Sequence, residues 1–391
     1  MSLDSCHNIE DLRRRAKRKL PSPMFHYIDG GADDEWSLQR NSQAFDELQL
    51  LPNYLNDVSQ VGLDTTLLGC DLRLPFLLAP TGMSRLFHHH KELGVARAAA
   101  KHGTLYTLST MATTSLEDVA AAASGAQMFQ IYVFKDRGLT RELIQRCKQS
   151  GYRALCLTVD TAVAGNRERD RRLGMSMPPR ITPRTFFSFA SSFGWLFNFA
   201  RDPGFGLANV AHRVDMLSGG AVGVIEYVNS QFDRSVTWQD VEWVASEWGG
   251  AFAIKGMSAV GDAKRAVSSG ATAAMLSNHG GRQLDGCAAP ITTLPRIRDA
   301  IGDQLELIID GGIRRGTHIL KALALGANAC SIGRPYLYGL AAGGEAGVDR
   351  ALTLLRDEVA RGLSLLGCQR ISDVGRQHVE LVDEWRREFA A

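Results

Sequence analysis

The sequence predicts an α/β protein folded as a (β/α)8 TIM barrel with a long insertion after the fourth strand. Short apolar segments recur eight times between residues 76 and 332, and amphipathic segments of helical period lie between them. No Gly-x-Gly-x-x-Gly motif follows the first apolar segment. A doubly wound dinucleotide-binding sheet, which is the main alternative, is therefore disfavoured.

Each apolar segment has the length and composition of a buried parallel strand. The predicted strands span residues 76–79, 105–108, 128–133, 154–159, 251–254, 273–276, 305–309 and 329–332. Predicted helices follow at 92–102, 115–123, 140–150, 260–269 and 318–325, and each ends near a glycine or a polar turn. Eight such units in one chain favour a closed barrel over an open sheet.

Further helices are predicted outside the barrel. Residues 8–19 form a capped N-terminal helix that ends before Pro21, and a helix covers 348–366. The charged tail, 373–391, is also predicted to be helical. The 391 residues are expected to form a single domain, with a barrel core at about 75–345 and an inserted loop at about 176–230.

Composition limits the partners and the compartment. The 44 basic and 42 acidic residues leave a formal charge of +2, which argues against a nucleic-acid binder. The seven cysteines include no Cys-x-x-Cys pair, so neither disulfides nor a metal site is expected and a reducing cytoplasm fits best. The N-terminus lacks the apolar core of a signal peptide, and no uncharged apolar run is long enough to predict a membrane-spanning helix.

Polar residues follow the predicted strands where each strand ends. In chain order they are Pro80, Thr81, Gly82, Ser109, Gln130, Tyr132, Thr158, Asp160, Lys255, His279, Arg282, Asp310, Gly311, Gly312, Gly333 and Arg334. Because α/β barrels keep their chemistry at the carboxyl ends of the strands, these residues are expected to converge on one mouth. A purely structural barrel needs no such collection, so the pattern favours an enzyme.

The stretch 277–286, Ser-Asn-His-Gly-Gly-Arg-Gln-Leu-Asp-Gly, is the most informative of these strand ends. Its His279 and Arg282 are three residues apart, and the glycines between them allow a ligand to approach closely. A histidine offers a base and an arginine an anion clamp. The alternative is a polar loop with a surface histidine, but the ten-residue pattern is far more specific than a lone histidine.

Two glycine-bearing strand ends near the C-terminus, at 310–316 and 331–335, predict a phosphate site. Loops after the seventh and eighth strands of a barrel often bind phosphate through backbone N–H groups and a helix N-terminus. Arg314 and Arg334 add positive charge to these two loops. Lys255, at the end of the fifth strand, is either a solvated surface lysine or a fixed cation of the site.

The connection between the fourth and fifth strands, 165–250, is much longer than an ordinary loop and is expected to contain a lid or an interaction element. Within it, residues 186–200 are unusually aromatic. The stretch is too short to span a bilayer. It either lies in the membrane interface or forms a lid that packs on the barrel or between subunits, and the sequence leaves both alternatives open.

The pattern Ser-Asn-His-Gly-x-Arg-Gln-Leu-Asp at 277–285 resembles the signature of the FMN-dependent L-2-hydroxy acid oxidases and dehydrogenases, a family with L-lactate dehydrogenase, mandelate dehydrogenase and glycolate oxidase types. The resemblance covers about residues 8–380 and includes motifs on nearly every strand. It implies FMN as the cofactor and oxidation of an (S)-2-hydroxy acid, such as L-lactate or mandelate, to the 2-oxo acid.

The resemblance also implies roles for individual residues around the substrate. His279 matches the active-site base and Asp160 the carboxylate that orients it. Arg167 and Arg282 match the clamps on the substrate carboxylate. Two tyrosines complete this set, because Tyr27 matches a substrate-binding position and Tyr132 would bond the substrate hydroxyl. Whether His279 removes the hydroxyl proton or the Cα proton is left open.

For the cofactor, the resemblance implies a set of contacts spread over all the strand ends. Lys255 would lie beside the flavin N1 and O2, where a cation stabilises the reduced ring. The other cofactor-binding residues implied are Pro80, Thr81, Gly82, Ser109, Gln130, Thr158, Ser277, Asp310, Gly311, Gly312, Arg314, Gly333 and Arg334. The last six of these would hold the ribityl phosphate end.

Three positions bear on the subtype. Met111 and Ala164 stand where short-chain oxidases of the family carry a tryptophan and a leucine, so the pocket is expected to be reshaped or wider. Gly82 replaces an alanine, as in the membrane-associated mandelate dehydrogenases. These features favour a dehydrogenase that passes electrons to a quinone or cytochrome. The alternatives are an H2O2-forming oxidase on the same site and a silent FMN-binding interaction protein.

Location and assembly follow from the same resemblance. Some dehydrogenases of this family attach to the inner membrane through this same long loop. The chain is therefore expected to be cytoplasmic, with peripheral contact to the inner face of the cell membrane through 186–200. Barrels of this family tend to form tetramers, so a homotetramer is expected, with no nucleic-acid partner.

Overall fold

The computed structural model describes residues 2–175, 183–213, 227, 228 and 230–382. Its strands are β1 (Leu48–Leu50), β2 (Thr65–Leu67), β3 (Cys70–Leu72), β4 (Phe76–Leu78), β5 (Tyr106–Ser109), β6 (Gln127–Ile131), β7 (Ala154–Thr158), β8 (Ala251–Met257), β9 (Ala273–Ser277), β10 (Glu306–Asp310), β11 (Ala329–Ile332) and β12 (Val379–Leu381).

Helices surround these strands. They are α1 (Ile9–Lys19), α2 (Ser22–Asp29), α3 (Trp36–Gln43), α4 (Lys91–Lys101), α5 (Leu116–Ala122), α6 (Arg137–Gln149), α7 (Glu168–Arg172), α8 (Pro183–Ser191), α9 (Phe193–Arg201), α10 (Trp238–Trp248), α11 (Val260–Ser268), α12 (Pro290–Ile301), α13 (Gly316–Ala324) and α14 (Arg334–Leu366). Gly343 and Gly344 leave helical geometry, so α14 consists of two helical segments joined at a kink.

Strands β4 to β11 close into a barrel in which every neighbouring pair is parallel. The predicted (β/α)8 TIM barrel is therefore confirmed, and each of the eight predicted strands overlaps one barrel strand. The strands are buried on both faces because their outer side chains pack on helices and their inner ones on each other. This double burial is why they read as continuous apolar runs in the sequence.

The barrel interior is apolar at one end and polar at the other. Small and sulfur-containing side chains such as Cys156, Ala253 and Met275 fill the middle. The β2–β3 hairpin covers the amino-terminal end of the barrel with Leu67 and Leu72. Apolar packing therefore closes the amino-terminal end of the barrel, and the polar residues at the strand ends lie at the opposite, carboxyl end.

The N-terminal helices and the C-terminal segment pack against the barrel together. Helix α1 begins after Asn8, whose side chain accepts a hydrogen bond from Asp11 N at 2.8 Å, and it packs along α14. Strand β1 pairs antiparallel with β12. The prediction of a helical tail over 373–391 was wrong for 379–381, which form β12 because the edge of β1 offers backbone partners. Residues 383–391 lie outside the described residues.

The insertion after β7 contains α7, α8, α9 and α10. Of the predicted loop at 176–230, residues 176–182, 214–226 and 229 lie outside the described residues. Trp195 is buried and donates from Nε1 to the carbonyl oxygen of Leu86 at 2.7 Å. The buried Arg85 donates to the carbonyl oxygen of Phe199 at 3.1 Å, near the end of α9. These bonds fix the α8–α9 hairpin on the loop that follows the first barrel strand.

The outer face of the α8–α9 hairpin is apolar. Phe187 and Phe193 are 78% and 76% exposed, and Phe186 and Phe197 are exposed on the same two helices. Side chains of this size are usually buried, so a cluster of four marks an unpartnered surface. Among the residues that the structure describes, no helix combines the length and apolar content needed to cross a bilayer.

Candidate active site

A cavity of about 1040 Å³ opens at the carboxyl ends of the barrel strands. All the predicted site residues line it except Asp160 and Ser277, which lie directly behind His279 and Lys255. The lining residues among them are Tyr27, Pro80, Thr81, Gly82, Ser109, Gln130, Tyr132, Thr158, Arg167, Lys255, His279, Arg282, Asp310, Gly311, Gly312, Arg314, Gly333 and Arg334. The structure therefore brings the predicted residues together in one place.

The loop that carries His279 has an unusual backbone. His279 has a φ of +56°, a conformation that costs energy for any residue with a side chain. Gly281 follows with a φ of +73°, and a Cβ atom there would lie 2.5 Å from Leu38 N. Only glycine permits this contact with α3, so the loop is locked onto the N-terminal region.

His279 forms a hydrogen-bonded pair with Asp160 across the mouth of the barrel. Its Nδ1 lies 2.8 Å from Asp160 Oδ1, although the two residues are 119 positions apart in the chain. Burial disfavours the charged form of Asp160, but His279 and Lys255 outweigh it and hold the pKa of Asp160 below its ordinary value. An ionised Asp160 that accepts from Nδ1–H leaves Nε2 as the atom of the ring that is free to take a proton.

Three side-chain amides hold the base and its carboxylate in place, and the sequence prediction gave none of them a role. Gln283 Nε2 donates to the carbonyl oxygens of Asp160 and Val163 at 2.9 and 2.8 Å. Asn278 and Asn41 exchange reciprocal side-chain hydrogen bonds of 2.7 and 2.8 Å. The sequence signal for Gln283 and Asn278 was their place inside the 277–286 motif, but Asn41 carried no such signal.

A second pair of a basic side chain and a carboxylate, Lys255 and Asp310, lies at the same mouth as His279 and Asp160. Lys255 Nζ is 3.0 Å from Asp310 Oδ2 and 3.1 Å from Ser277 Oγ, and Ser277 donates to the same Asp310 oxygen at 2.7 Å. Burial works against both charges, but each partner stabilises the other, so the pKa of Lys255 is raised and that of Asp310 is lowered. Lys255 is therefore a buried cation, and the surface-lysine alternative was wrong.

The strand that carries Lys255 is irregular at the next residue. The register between β8 and β9 shifts between Lys255 and Met257, which marks a bulge at Gly256. Gly256 has a φ of +107°, and a Cβ atom there would lie 2.7 Å from Asp160 Cγ. The bulge thus makes room for the Asp160 side chain beside Lys255.

Two arginines and a tyrosine form the part of the cavity wall nearest α2. The Arg282 guanidinium donates to the carbonyl oxygens of Tyr27 and Gly30 at 2.7 and 3.0 Å. The guanidinium carbons of Arg282 and Arg167 lie 4.9 and 6.0 Å from the centre of the Tyr27 ring. Burial, and then the charge of Arg167, lowers the pKa of Arg282. Two half-buried like charges close together make this wall an anion site.

Tyr132 stands at the end of β6 with its ring against Phe232. The ring centres are 5.0 Å apart in an edge-on arrangement. Burial, and then the negative charge of Asp160, raises the pKa of the Tyr132 phenol, so it remains a hydrogen-bond donor. Phe232 was missed by the sequence prediction because it lies in the insertion, where no strand end marks it.

The two glycine-bearing loops after β10 and β11 form the far end of the cavity. Gly311 and Gly312 have φ values of +133° and +79°, and Gly333 precedes α14. Arg334 is half-buried and donates to the carbonyl oxygens of Ile28, Gly30 and Gly280 at 2.7–3.0 Å. These three bonds join the phosphate-type loop to α2 and to the His279 loop.

The remaining predicted residues form the opposite wall. Thr81 Oγ1 lies 2.6 Å from the Tyr336 hydroxyl, and Ser109 donates to Gln130 Oε1 at 3.1 Å. Thr158 Oγ1 is buried and has no hydrogen-bond partner among the described atoms. A buried hydroxyl without a partner is costly, so this oxygen is available to a ligand.

Apolar residues form the rim of the cavity, and the family resemblance had singled out Met111 and Ala164 among them. The rim residues are Met83, Phe87, Met111, Val163, Ala164, Met175 and Phe232. Phe87 stacks on Tyr27 with ring centres 6.3 Å apart. The mouth thus combines a cationic wall, a hydrogen-bonded base and an apolar rim, which suits a small acid with an apolar side chain.

Comparisons with known proteins agree with this geometry. The family model for FMN-dependent dehydrogenase matches residues 16–381. The chain is 42% identical to the L-lactate oxidase of Nostoc sp. over 97% of this chain and 100% of the relative. It is 38% identical to glycolate oxidase 1 of Zea mays over 95% of both. The crystal structure of the monotopic membrane protein (S)-mandelate dehydrogenase matches with a TM-score of 0.93 at 35% identity, covering 96% of this chain and 100% of that chain.

Proposed function

This chain belongs to the family of FMN-dependent dehydrogenases, and from that premise we propose that it oxidises an (S)-2-hydroxy acid to the 2-oxo acid and passes the electrons to a quinone or a cytochrome. FMN is the cofactor and 2-hydroxy acid oxidation the reaction class. The proposal rests on one observation above all, that His279, which is hydrogen-bonded to Asp160, shares a single cavity with Lys255 and the two arginines.

The residues at the barrel mouth fit FMN. The glycines at 311, 312 and 333 expose backbone N–H groups to a phosphate, and the Arg314 side chain adds a cation there. The unpartnered Thr158 Oγ1 and the Lys255 ammonium match polar positions on the ring edge. When bound, FMN supplies the acceptor for two electrons, and the protein supplies binding, orientation and charge.

The arginine wall binds the carboxylate of the acid. Arg167 Nε is buried without a hydrogen-bond partner among the described atoms, so a carboxylate oxygen would satisfy it. Arg282 is fixed by the backbone at Tyr27 and Gly30 and cannot turn away. A planar carboxylate held by two arginines would have one fixed orientation, and Tyr132 would be available to bond the substrate hydroxyl.

The proton is handled by His279. Its Nε2 takes a proton from the substrate, and Asp160 stabilises the resulting imidazolium through Nδ1. The protonated Tyr132 donates a hydrogen bond to the substrate oxygen. Both routes, removal of the hydroxyl proton with hydride transfer and removal of the Cα proton, use this same base.

The apolar rim supports a substrate with a sizeable side chain. Met111 and Ala164 both line the cavity, and Ala164 fills little of it. A Cβ atom at Gly82 would lie 2.8 Å from Met111 Cβ, so an alanine there would push Met111 into the cavity. We favour L-lactate or a larger acid such as mandelate.

The acceptor proposal rests on the exposed face of α8–α9. Four exposed phenylalanines on two short helices suit the interfacial layer of a membrane, where quinones are found. The similarity to a monotopic membrane protein supports the same location. We propose peripheral attachment to the inner face of the cell membrane and a homotetrameric assembly. An H2O2-forming oxidase is the second candidate, because an oxidase is among the similar proteins.

The test is an absorption spectrum of the purified protein, followed by anaerobic addition of L-lactate, L-mandelate or a longer 2-hydroxy acid, and then air. Bleaching of the flavin band by one acid with slow recovery in air supports the dehydrogenase. Rapid recovery with formation of H2O2 supports the oxidase. A yellow protein that no 2-hydroxy acid bleaches contradicts the proposed function.

Membrane attachment is tested separately, by sedimentation with phospholipid vesicles. The double variant Phe187→Ser, Phe193→Ser is expected to lose most of its vesicle binding, because it removes two large apolar side chains from the surface. Leu365→Ser, which changes an exposed apolar residue on α14, is the matched control and should bind like the unaltered protein. Equal loss in both variants, or no binding by the unaltered protein, contradicts this attachment.

A further inference from the structure

The buried cluster of Lys255, Asp310 and Ser277 has a feature that cofactor binding alone does not explain. The Asp310 oxygen nearest the cavity cation already accepts from Lys255 and Ser277, at 3.0 and 2.7 Å. An acid that only bonded a ligand hydroxyl would not need a lysine as its partner. Asp310 instead places a negative charge next to Lys255, a cation that is buried in the cavity wall.

The charge balance of the cluster is set by its burial. Lys255 and Asp310 are 3% and 7% exposed, so solvent screens their charges little. The Lys255 ammonium has three N–H groups, and Asp310 and Ser277 use two of them. The third remains for the cavity that Lys255 lines. Lys255 is thus held in a fixed orientation while its charge is largely balanced.

We propose that Asp310 is a positioning residue that aims Lys255 at the flavin and, by balancing its charge, keeps the midpoint potential of the bound FMN low. This inference rests on the proposed placement of the flavin at the barrel mouth. A bare cation at the ring would stabilise the negative charge of the reduced flavin and raise its potential. A balanced cation does so less, which leaves reduced FMN able to pass electrons onward to an acceptor.

Ser277 ties this cluster to the catalytic loop. Its hydroxyl donates to Asp310 and accepts both from Lys255 and from the backbone N–H of His279, the last at 3.0 Å. The orientation of the cation and the start of the His279 loop therefore depend on one oxygen. Ser277 carries no charge, so its loss should disturb geometry without changing the charge balance.

The test compares charge and hydrogen-bond variants by two readouts other than turnover, the dissociation constant for sulfite and the midpoint potential. Sulfite adds to the flavin and leaves negative charge on the ring, so its affinity reports the local field. Asp310→Asn is expected to bind sulfite at least about tenfold more tightly and to have a more positive potential, and tenfold in a two-electron equilibrium corresponds to about 30 mV.

Two further variants separate charge from structure. Ser277→Ala should change the sulfite constant by less than about threefold, because it leaves both charges in place. Lys255→Gln combined with Asp310→Asn removes both charges and should return the constant to within about threefold of the unaltered protein. The inference would be overturned if Asp310→Asn had the same sulfite dissociation constant as the unaltered protein. It would also be overturned if Ser277→Ala changed that constant as much as Asp310→Asn does.

If Asp310→Asn does not fold, the double variant Lys255→Gln, Asp310→Asn tests the inference instead, because it leaves no unpaired charge buried. Recovery of FMN binding with a nearly unaltered potential supports the inference, and loss of FMN or a shifted potential contradicts it. A failure of the proposed function looks different. If the unaltered protein binds FMN but no 2-hydroxy acid reduces it, the proposed function is contradicted. The sulfite constants of the variants still test the role of Asp310 in that case.

Discussion

Two pairs, each of a basic side chain and a carboxylate, lie at the mouth of this barrel, and they are built differently. In the lower pair Lys255 and Asp310 are both buried, and Ser277 bonds both partners. In the upper pair His279 makes one bond to Asp160, and the second carboxylate oxygen, Asp160 Oδ2, is buried without a hydrogen-bond partner among the described atoms.

The difference separates a fixed charge from a changeable one. Each member of the Lys255–Asp310 pair stabilises the charge of the other, so neither is expected to change protonation near neutral pH. The His279–Asp160 pair has an imidazole at its outer end, and an imidazole nitrogen can accept a proton during a reaction. The incompletely bonded Asp160 can gain interaction when His279 becomes positive, which is what a proton-accepting base needs.

Removal of the His279 imidazole should have the largest effect on the rate of flavin reduction. His279→Ala is expected to keep bound FMN but to slow flavin reduction by about 10³- to 10⁴-fold, because a general base typically contributes 10²–10⁴-fold and the substrate also loses a contact. Anaerobic stopped-flow mixing with the best 2-hydroxy acid measures this. The control is the FMN content, which should equal that of the unaltered protein. Reduction at the original rate would contradict the assignment of His279 as the base.

Neutralising the carboxylate behind it should have the next largest effect. Asp160→Asn keeps the size of the side chain but removes the charge that stabilises the imidazolium, so flavin reduction should slow by about 10²- to 10³-fold. A flavin reduction rate within about threefold of that of the unaltered protein would mean that the charge of Asp160 contributes little to the reaction.

A third carboxylate sharpens the comparison, because its partners lie outside the mouth. Asp29, at the end of α2, accepts from Arg13 Nε at 2.6 Å and from the Tyr338 hydroxyl at 2.8 Å. Burial would raise the pKa of Asp29, but these bonds hold it at about 2. Asp29→Asn is therefore expected to lower the free energy of unfolding by about 2 kcal/mol, measured by denaturant titration at neutral pH.

The pH dependence of this contribution follows from the direction of the shift. A depressed pKa means that the stabilisation is fully present above the pKa of the unfolded chain, about 3.9, and is lost as the pH falls towards 2. The difference in stability between Asp29→Asn and the unaltered protein should therefore shrink between about pH 4 and pH 2. A difference that stays constant over this range would contradict the charged role of Asp29.

The smallest expected effect concerns the backbone that carries Asp160. Gln283→Ala removes the bonds to the carbonyl oxygens of Asp160 and Val163. The segment 160–165 should then loosen, and the KM of the 2-hydroxy acid should rise by about three- to tenfold with a smaller change in kcat. Steady-state kinetics measures this, and Gln283→Glu should raise the KM at least as much, because a carboxylate cannot donate to these two carbonyl oxygens. A fall in kcat as large as that of Asp160→Asn would mean that Gln283 takes part in the chemistry.

The prediction from sequence worked best where residues are tied to a strand end. The eight barrel strands were predicted because they are buried on both faces, and each strand end then placed its polar residues at the mouth. It failed at the C-terminal tail, where pairing with β1 overrides helix propensity at 379–381. It could not decide how the aromatic stretch of the insertion is arranged.

In that stretch, Phe189 and Trp195 pack on the barrel while Phe187 and Phe193 face outward. The alternative of a lid packed on the barrel therefore describes the inner face of the α8–α9 hairpin, and membrane contact by the outer face stays a prediction. The sequence cannot distinguish the inner from the outer face of these short helices, because both faces carry aromatic residues. Helical periodicity identifies the buried face only when the exposed face is polar. The contact with the buried Trp195 is what orients the hairpin.

The sequence by itself determined the barrel, the residues of its mouth and the motif that carries His279, because burial and strand direction act locally and leave a readable pattern. The tertiary structure alone decided which charges pair. Asp160 with His279 and Lys255 with Asp310 are contacts between distant strands, and Asn41 reaches Asn278 from outside the barrel. Such pairings depend on distances of a few ångströms that only the closed barrel sets, since the strength of a buried charge depends on what lies beside it.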